Sequence, residues 1–365
     1  MRSYDIAVIG AGIAGTMVAY EAKNRGLSVV IIDRASKVAT GGSGAAGAFI
    51  SPKLGKETKL LKLTNLAYSY AVNFYKNNFN QYFDDSSIIR LPKDSKDAKN
   101  FSYYKSIIDE PSKILSTQEL SNLGIKNADT ALYFKNGGVC DAQGLCAALA
   151  KDIDYIQAEV KSLNKLPLNA KKVVLATGYE GFRELLEYMG INGVWGSRGD
   201  FYTDTKVDIS MHKSISISAS KSGIVKLGAT HTRAKNPTNA CMQCNGTPLD
   251  SLIKESATML NLTNLKLKET LCGMRAGSRD YIPLVGKVID TNYMLNTYPQ
   301  LKKGYNRAPN RYIDNLYILN GLGGRGFVLA PLMAKWLVDL IAKNKDIEPT
   351  VNPDRLFLKW ARKLD

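Results

Sequence analysis

Residues Tyr4 to Gly15 read YDIAVIGAGIAG, and the stretch Val29 to Asp33, VVIID, closes the unit they open. Ile6 to Ile9 is a short apolar run of the kind that forms a buried strand. It enters the turn Gly10-x-Gly12-x-x-Gly15, followed by a helical stretch Thr16 to Arg25, a stop at Gly26 and a second buried strand Ser28 to Ile32. Each glycine has its own task. Gly10 permits the tight turn, Gly12 lets backbone N–H groups approach a pyrophosphate, and Gly15 lets the helix pack on the strand. The phosphates then sit at a positive helix N-terminus. Asp33, eighteen positions after Gly15, is placed to accept hydrogen bonds from an adenosine ribose. Strand, glycines, helix, strand and acid in this register predict a site for an ADP-containing dinucleotide.

Around that unit the chain runs to 365 residues, 45% of them hydrophobic, enough to bury one substantial core or two. The first strand starts almost at Met1, so no signal peptide is expected. The longest apolar stretch, Phe327 to Ala342, is broken by Lys335 and Asp339 and makes a poor bilayer span. A cytoplasmic location is the expectation. The cysteines, Cys140, Cys146, Cys241, Cys244 and Cys272, are few and odd in number, and read as reduced thiols. Cys241-x-x-Cys244 could be half a zinc site or a redox pair, but no second pair or histidine cluster completes a metal site. A net charge of +16 is what a polyanionic partner would select. A lysine-rich proteome is the other explanation, and scattered Lys–Asn stretches fit it.

The expected fold class is α/β: a Rossmann-like nucleotide-binding domain with a discontinuous α+β substrate domain built on antiparallel sheet. The first domain is drawn from 1–80, 136–195 and 270–350, the second from 81–135 and 196–269, with 351–365 as a basic C-terminal helix. Glycine-rich Gly41 to Gly55 precedes a helix over about Glu57 to Asn77. Gly137 to Asp141 leads into a helix from Ala142 to Ala150. Tyr155 to Leu163 reads as a strand, and Lys172 to Ala176 is a buried strand ending in Thr177-Gly178. The alternation in Ser214 to Ser220, SISISAS, is the plainest antiparallel-strand pattern. The strand Leu316 to Leu319, a glycine turn and the helix Phe327 to Ala342 finish the nucleotide-binding pieces.

Gly321-x-Gly323-x-x-Gly326 repeats the dinucleotide pattern after a strand and before a helix. A second cofactor such as NADPH is rejected, because no later strand supplies the acidic ribose ligand. The helix N-terminus is better read as pointing at the same cofactor as the first. One Rossmann unit, a mid-chain VVLATG strand and this C-terminal turn resemble the FAD fold of the D-amino-acid oxidase and glycine oxidase superfamily. The resemblance implies FAD, held by Gly10, Ala11, Gly12, Ala14, Gly15, Asp33, Arg34, Gly42, Ser43, Gly44, Gly47, Val160, Ala176, Thr177, Gly178, Gly323, Gly324, Gly326 and Phe327. It also implies that Arg275, in Cys272 to Gly286 (CGMRAGSRDYIPLVG), grips a substrate carboxylate with its planar fork. Arg325, in GLGGRGF, would share the site. The other reading of either arginine is an ion pair to an acid such as Asp280; Arg279 reads as structural.

Four stretches sharpen the match: GGSGAAGAFISPKLGK, CGMRAGSRDYIPLVG, LYILNGLGGRGFVLAPLMA and the ending NPDRLFLKWARKL. Together they resemble the FAD-dependent oxidoreductase half of the bifunctional tRNA 5-methylaminomethyl-2-thiouridine biosynthesis family (MnmC-type). Asn352 suits an N-cap and Pro353 a first helical position, leaving Arg355, Lys359, Arg362 and Lys363 on a short basic helix, solvated or touching RNA. The resemblance implies a stand-alone oxidoreductase, with methylation left to another polypeptide. No motif is matched in Asp84 to Thr130.

What the resemblance implies chemically is oxidative removal of the carboxymethyl group from carboxymethylaminomethyl-(2-thio)uridine at the tRNA wobble position, giving glyoxylate and aminomethyl-uridine, with dioxygen as oxidant. An unprotonated secondary amine needs no general base. His212 and His231 are the only histidines, and His231 is ranked below a structural role. Lys53, Lys56, Lys59, Lys302, Lys303, Arg307 and Arg311 are candidate phosphate contacts for the anticodon loop. Two rivals remain: a small-molecule oxidase of glycine or sarcosine, and a flavoprotein that binds RNA without turnover.

Overall fold

A computed structural model describes residues 2–233, 249–305 and 307–364. Its contacts divide the chain into two compact units. The first comprises Met1–Ser43, Cys146–Gly193 and Arg275–Asp365; the second comprises Gly44–Leu145 and Val194–Met274.

In the first unit, strand β1 (Ser3–Ile9) leads into helix α1 (Ile13–Lys23) and strand β2 (Val29–Asp33). Strands β3 (Asp154–Gln157) and β4 (Asn169–Leu175) follow, then β5 (Leu284–Ile289) and β6 (Tyr312–Asn320), helix α2 (Gly326–Lys343) and helix α3 (Asp354–Ala361). The sheet order is β5-β6-β4-β1-β2-β3. Every neighbouring pair is parallel except β5 with β6. Strands buried on both faces read as continuous apolar runs, which is why Ile6, Val8, Val30 and Ile31 are fully buried. Each such side chain contributes about 1.5–3 kcal/mol of transfer free energy.

Helices α1 and α2 run side by side. A Cβ on Gly326 would stand 3.0 Å from Ile13 Cγ2, so the two N-termini lie together. Just past the end of α1, Arg25 donates to Asp339 of α2 at 2.5 Å and to Glu21 at 2.6 Å, and Lys335 pairs with Asp339 at 3.0 Å. The observed α1 starts three residues before the expected Thr16, because the Gly12 backbone already accepts from Thr16 N at 2.9 Å.

The second unit is built on an eight-stranded sheet that includes Asn192–Tyr202, Ser210–His212, Ile224–Gly228 and Lys266–Gly277. One face buries Ile89, Phe201, Ile217, Val225 and Leu227. The expected mixed unit with antiparallel sheet is therefore present. Its borders differ from the sequence expectation: residues 44–80 and 136–145, assigned there to the nucleotide-binding domain, cluster with the second unit. A small sheet explains this. Phe49–Ile50 and Phe83–Asp84 both pair with Gly138–Cys140, and Tyr68 donates to the Asn136 carbonyl. The expected C-terminal helix is present as α3 and clusters with the first unit.

The SISISAS alternation yields ladder pairing only over Ser216–Ile217. Beyond it Ser218 N still donates to the Lys226 carbonyl at 3.1 Å, and serine side chains add flanking bonds: Ser218 Oγ accepts from Lys226 N at 2.8 Å, and Ser210 Oγ accepts from Ala219 N at 2.9 Å. Such side-chain competition is what makes serine a poor strand residue. Cys140 and Cys146 are buried and outside any disulfide, whereas Cys272 is disulfide-bonded, so the expectation of reduced thiols fails at Cys272. Sequence spacing shows which cysteines exist, not which the fold brings within bonding reach. Cys241 and Cys244 lie outside the described residues. Among the described residues, no helix is long and apolar enough to cross a membrane.

Candidate active site

The first turn is built by close backbone approaches. Gly10 has φ +108°, and a Cβ there would sit 2.3 Å from the Ala176 carbonyl oxygen at the end of β4. A Cβ on Gly15 would meet the Gly10 carbonyl oxygen at 1.8 Å, which no other residue permits. Gly12 faces Ser43 instead, whose Oγ accepts from Ile13 N at 2.9 Å. Ser43 therefore occupies one of the orphan donors at the start of α1, leaving the rest of that first turn for an anion.

Asp33 closes the other side. Its Oδ2 accepts from Ala11 N at 2.7 Å and its Oδ1 from Ala35 N at 2.9 Å. Each carboxylate oxygen keeps a further lone pair, enough for a ribose hydroxyl. Arg34 reaches Glu180 at 2.6 Å, across to the turn that follows Ala176, Thr177 and Gly178. Asn320, at the end of β6, donates to the Gly178 carbonyl at 2.8 Å and accepts from Gly321 N at 2.8 Å. Asn320 was missed by the sequence reading; its one signal is a polar residue ending the apolar run LYIL. Ala11 is buried, and Ala14 and Gly42 are half-buried in the same unit. Val160 packs against the apolar residues around Ile9 and Tyr4. Gly44 and Gly47 belong to the second unit, where a Cβ on Gly47 would strike the Phe49 ring at 2.7 Å.

The second glycine turn follows β6. Gly321 and Gly323 have φ +72° and +57°, residues 323–325 make one 3-10 turn, and α2 begins at Gly326 with Phe327 buried behind it. Because α1 and α2 start beside one another, both positive ends serve one locus. Within the first unit Gly277 bridges to Leu322, which brings residues 275–277 against this turn. Arg275 thus lies along Gly324: a Cβ there would stand 3.5 Å from Arg275 Cδ and 3.8 Å from Nε. Burial pushes the Arg275 guanidinium below its usual value. An arginine nevertheless stays charged. Arg325, half-buried, occupies the position before α2.

Asp280, an acid the sequence offered as a partner for these arginines, is held by Arg355. Arg355 on α3 donates to Asp280 through Nε at 2.8 Å and Nη2 at 2.9 Å, and to the Ile282, Val351 and Asn352 carbonyls. Arg355 is therefore turned inward rather than displayed on a basic surface. The apolar residues Leu356, Phe357 and Ala361 direct it there by fixing the buried side of α3. Arg279 packs on Gly190, in keeping with a structural part.

In the second unit, Arg198 is a buried cation and Lys226 a half-buried one, both missed by the sequence reading. Arg198 pairs with Asp200 at 2.9 Å, and Lys226 donates to the Cys140 carbonyl at 3.3 Å. Their signal is alternation: Val225 and Leu227 enter the core, so Lys226 faces the other way. Burial pushes the Lys226 ammonium down. His212 hydrogen-bonds Ser216 and stacks edge-on against Phe49, while His231 is exposed.

Glycines that admit no Cβ, two adjoining helix N-termini and an acid at the end of β2 suit a dinucleotide such as FAD, with the phosphates over α1 and the ribose at Asp33. A family model described as FAD dependent oxidoreductase matches residues 5–340. The chain is 24% identical over 392 residues to the tRNA 5-methylaminomethyl-2-thiouridine biosynthesis bifunctional protein MnmC of Legionella pneumophila subsp. pneumophila, covering 96% of this chain and 57% of that protein. It is 25% identical over 412 residues to the protein of the same name from Marinomonas sp., covering 97% and 59%. The chain thus spans somewhat more than half the length of these curated relatives. Its fold is similar to glycine oxidase from Bacillus cereus, with a TM-score of 0.74 at 18% identity over 94% of this chain and 96% of that one.

Proposed function

The chain belongs to the FAD-dependent oxidoreductase family, and from that premise we propose that it removes the carboxymethyl group from carboxymethylaminomethyl-uridine at the tRNA wobble position. The products are glyoxylate and aminomethyl-uridine. The observation that carries the reading is Arg275: a half-buried arginine laid along Gly324, beside the turn where α1 and α2 begin. The names of the curated relatives support an RNA substrate.

Bound FAD supplies the two-electron acceptor for the CH–NH bond, with dioxygen as the terminal oxidant. The chain's own residues do the rest by positioning. Arg275 donates two parallel hydrogen bonds to the substrate carboxylate, fixing the glycyl carbon and its orientation. Arg325 adds positive charge at the start of α2 and favours the anionic end of the substrate. Asp33 and the N–H groups of the Gly10–Gly15 turn hold the dinucleotide. The secondary amine enters unprotonated, so no side chain need remove a proton before oxidation. The imine then takes up water, its C–N bond breaks, and glyoxylate leaves from the primary amine.

The basic residues expected to touch phosphates fall in two places. Lys53, Lys56 and Lys59 belong to the second unit. In the first unit, the turn Pro299–Lys303 packs against α3, with Arg362 donating to the Gly304 carbonyl at 3.2 Å. Lys303, Arg307, Lys359, Arg362 and Lys363 are exposed there, with Tyr305 beside them. Arg311, paired with Asp314 at 3.5 Å, is partly neutralised. A cluster of cations with an exposed aromatic suits an RNA backbone.

The likeness to glycine oxidase keeps one second reading in play, a small-molecule amine oxidase using the same arginine. Mass spectrometry of tRNA nucleosides before and after incubation with the purified yellow protein decides between them. Conversion of carboxymethylaminomethyl-uridine with release of glyoxylate is the expected outcome. Unchanged nucleosides with peroxide formed from free glycine would establish the second reading.

A further inference from the structure

We infer that Arg355 is a positioning residue for Arg275, set from the C-terminal helix. The inference rests on the carboxylate-holding role proposed for Arg275. Arg355 is bonded at every nitrogen of its guanidinium. Nε and Nη2 take the two Asp280 oxygens at 2.8 and 2.9 Å, Nη2 also reaches the Ile282 carbonyl at 2.7 Å, and Nη1 reaches the Val351 and Asn352 carbonyls at 2.9 and 3.0 Å. Asp280 in turn accepts from Ser278 Oγ at 3.0 Å and Ile282 N at 3.2 Å. Ser278 is buried beneath Gly321, where an added Cβ would meet its own Cβ at 3.3 Å. The turn 278–282 is thereby locked as a unit, and it begins one residue after Gly277, which bridges to Leu322. Arg275 and Gly324 stand on the two sides of that bridge.

The path is continuous: Arg355 to Asp280, Asp280 to Ser278, Ser278 to the Gly277–Leu322 bridge, and the bridge to Arg275 against Gly324. A half-buried cation at the end of a flexible side chain needs a fixed backbone to be aimed. Here the backbone is fixed by a planar fork that only arginine supplies. A strand end released by even about an ångström misplaces a carboxylate enough to lose on the order of 100-fold.

The test uses the FAD-loaded full chain, with glycolate as the carboxylate probe and perturbation of the flavin absorbance as the readout. Arg355→Gln is expected to raise the glycolate Kd about 10- to 100-fold at unchanged FAD content, with Arg355→Lys intermediate. Asp280→Asn, which leaves the three carbonyl partners of Arg355 in place, should raise it in the same direction and decides the question if Arg355→Gln does not fold. A purely structural role would lower thermal midpoint and FAD content while leaving the Kd of the folded fraction unchanged, and that result overturns the inference. Arg275→Ala separates the two levels. If it binds glycolate like the parent, the carboxylate role itself fails. If it loses glycolate while Arg355→Gln and Asp280→Asn retain it, only the positioning role fails.

Discussion

The Oδ2 oxygen of Asp33 accepts the backbone N–H of Ala11 at 2.7 Å, tying the end of the second strand to the middle of the glycine turn. The carboxylate proposed to hold the ribose also sets the shape of the loop proposed to hold the phosphates. Replacing it by alanine frees two N–H groups at once, those of Ala11 and Ala35. Hydrogen bonds to a charged group are each worth about 1.5–3 kcal/mol. Asp33→Ala is expected to weaken FAD binding by more than about tenfold, with Asp33→Asn milder. Fluorescence titration of the apoprotein with FAD measures this, and rebinding as tight as the parent would remove Asp33 from the site.

Two glycines with positive φ should respond differently to alanine. Gly10 has the Ala176 carbonyl oxygen 2.3 Å from the added Cβ, whereas Gly178 has nothing within 4 Å. Gly178→Ala should cost only the left-handed backbone penalty of about 1–2 kcal/mol. Gly10→Ala adds a steric clash of about 1–3 kcal/mol or more. Denaturant midpoints of the two variants read the difference directly, and equal losses would contradict the packing described.

Arg275→Ala should abolish most turnover while FAD stays bound, because truncating one partner of a buried charge pair costs about 2–5 kcal/mol. Gly324→Ala, whose Cβ would lie at ordinary contact distance from Arg275 Cδ, should leave both intact; Gly324→Val should push Arg275 aside and raise KM. Steady-state kinetics on the substrate, with the flavin spectrum as control, separates these outcomes.

Acid should loosen the first unit in a defined window. Burial alone would raise the carboxyls of Asp280 and Asp339, but hydrogen bonds from Arg355 to Asp280, and from Lys335 and Arg25 to Asp339, hold both below the usual range. A carboxylate depressed in the folded state stabilises above its unfolded pKa of about 4 and loses that contribution as pH falls through the folded value. Stability measured by urea unfolding should therefore decline progressively below about pH 4. Asp339→Asn should be less stable at pH 7 and show a shallower acid slope; an unchanged slope would deny the pairing a role.

Charge reversal at Lys303, Arg362 and Lys363 together should weaken tRNA binding and flatten its salt dependence. Each lost phosphate contact lowers the log–log slope by about 0.7 for single-stranded RNA and somewhat more for duplex. Filter binding across a salt series tests this, and FAD content should stay unchanged. An unaltered slope would move the RNA surface elsewhere.

Much of the nucleotide-binding unit was legible because its requirements are local. Gly10 and Gly15 are dictated by atoms a few residues away or at the end of the adjoining strand, so a short motif carries them. The second glycine turn was legible for the same reason. Arg355 was not: its sequence neighbours Lys359, Arg362 and Lys363 suggest a uniformly basic helix, and nothing in NPDRL says which cation turns inward.

The sequence by itself determined a strand–turn–helix–strand unit shaped for a dinucleotide, because steric exclusion of a Cβ and period-2 or period-3.6 burial act over short stretches. Only the tertiary structure decided that 44–80 and 136–145 join the second unit, that serine side chains add to the ladder in the 214–220 segment, and that Asp280 meets Arg355. Those outcomes depend on which distant groups share one small volume, where a carboxylate takes whichever guanidinium the packing of a helix seventy-odd residues away delivers to it.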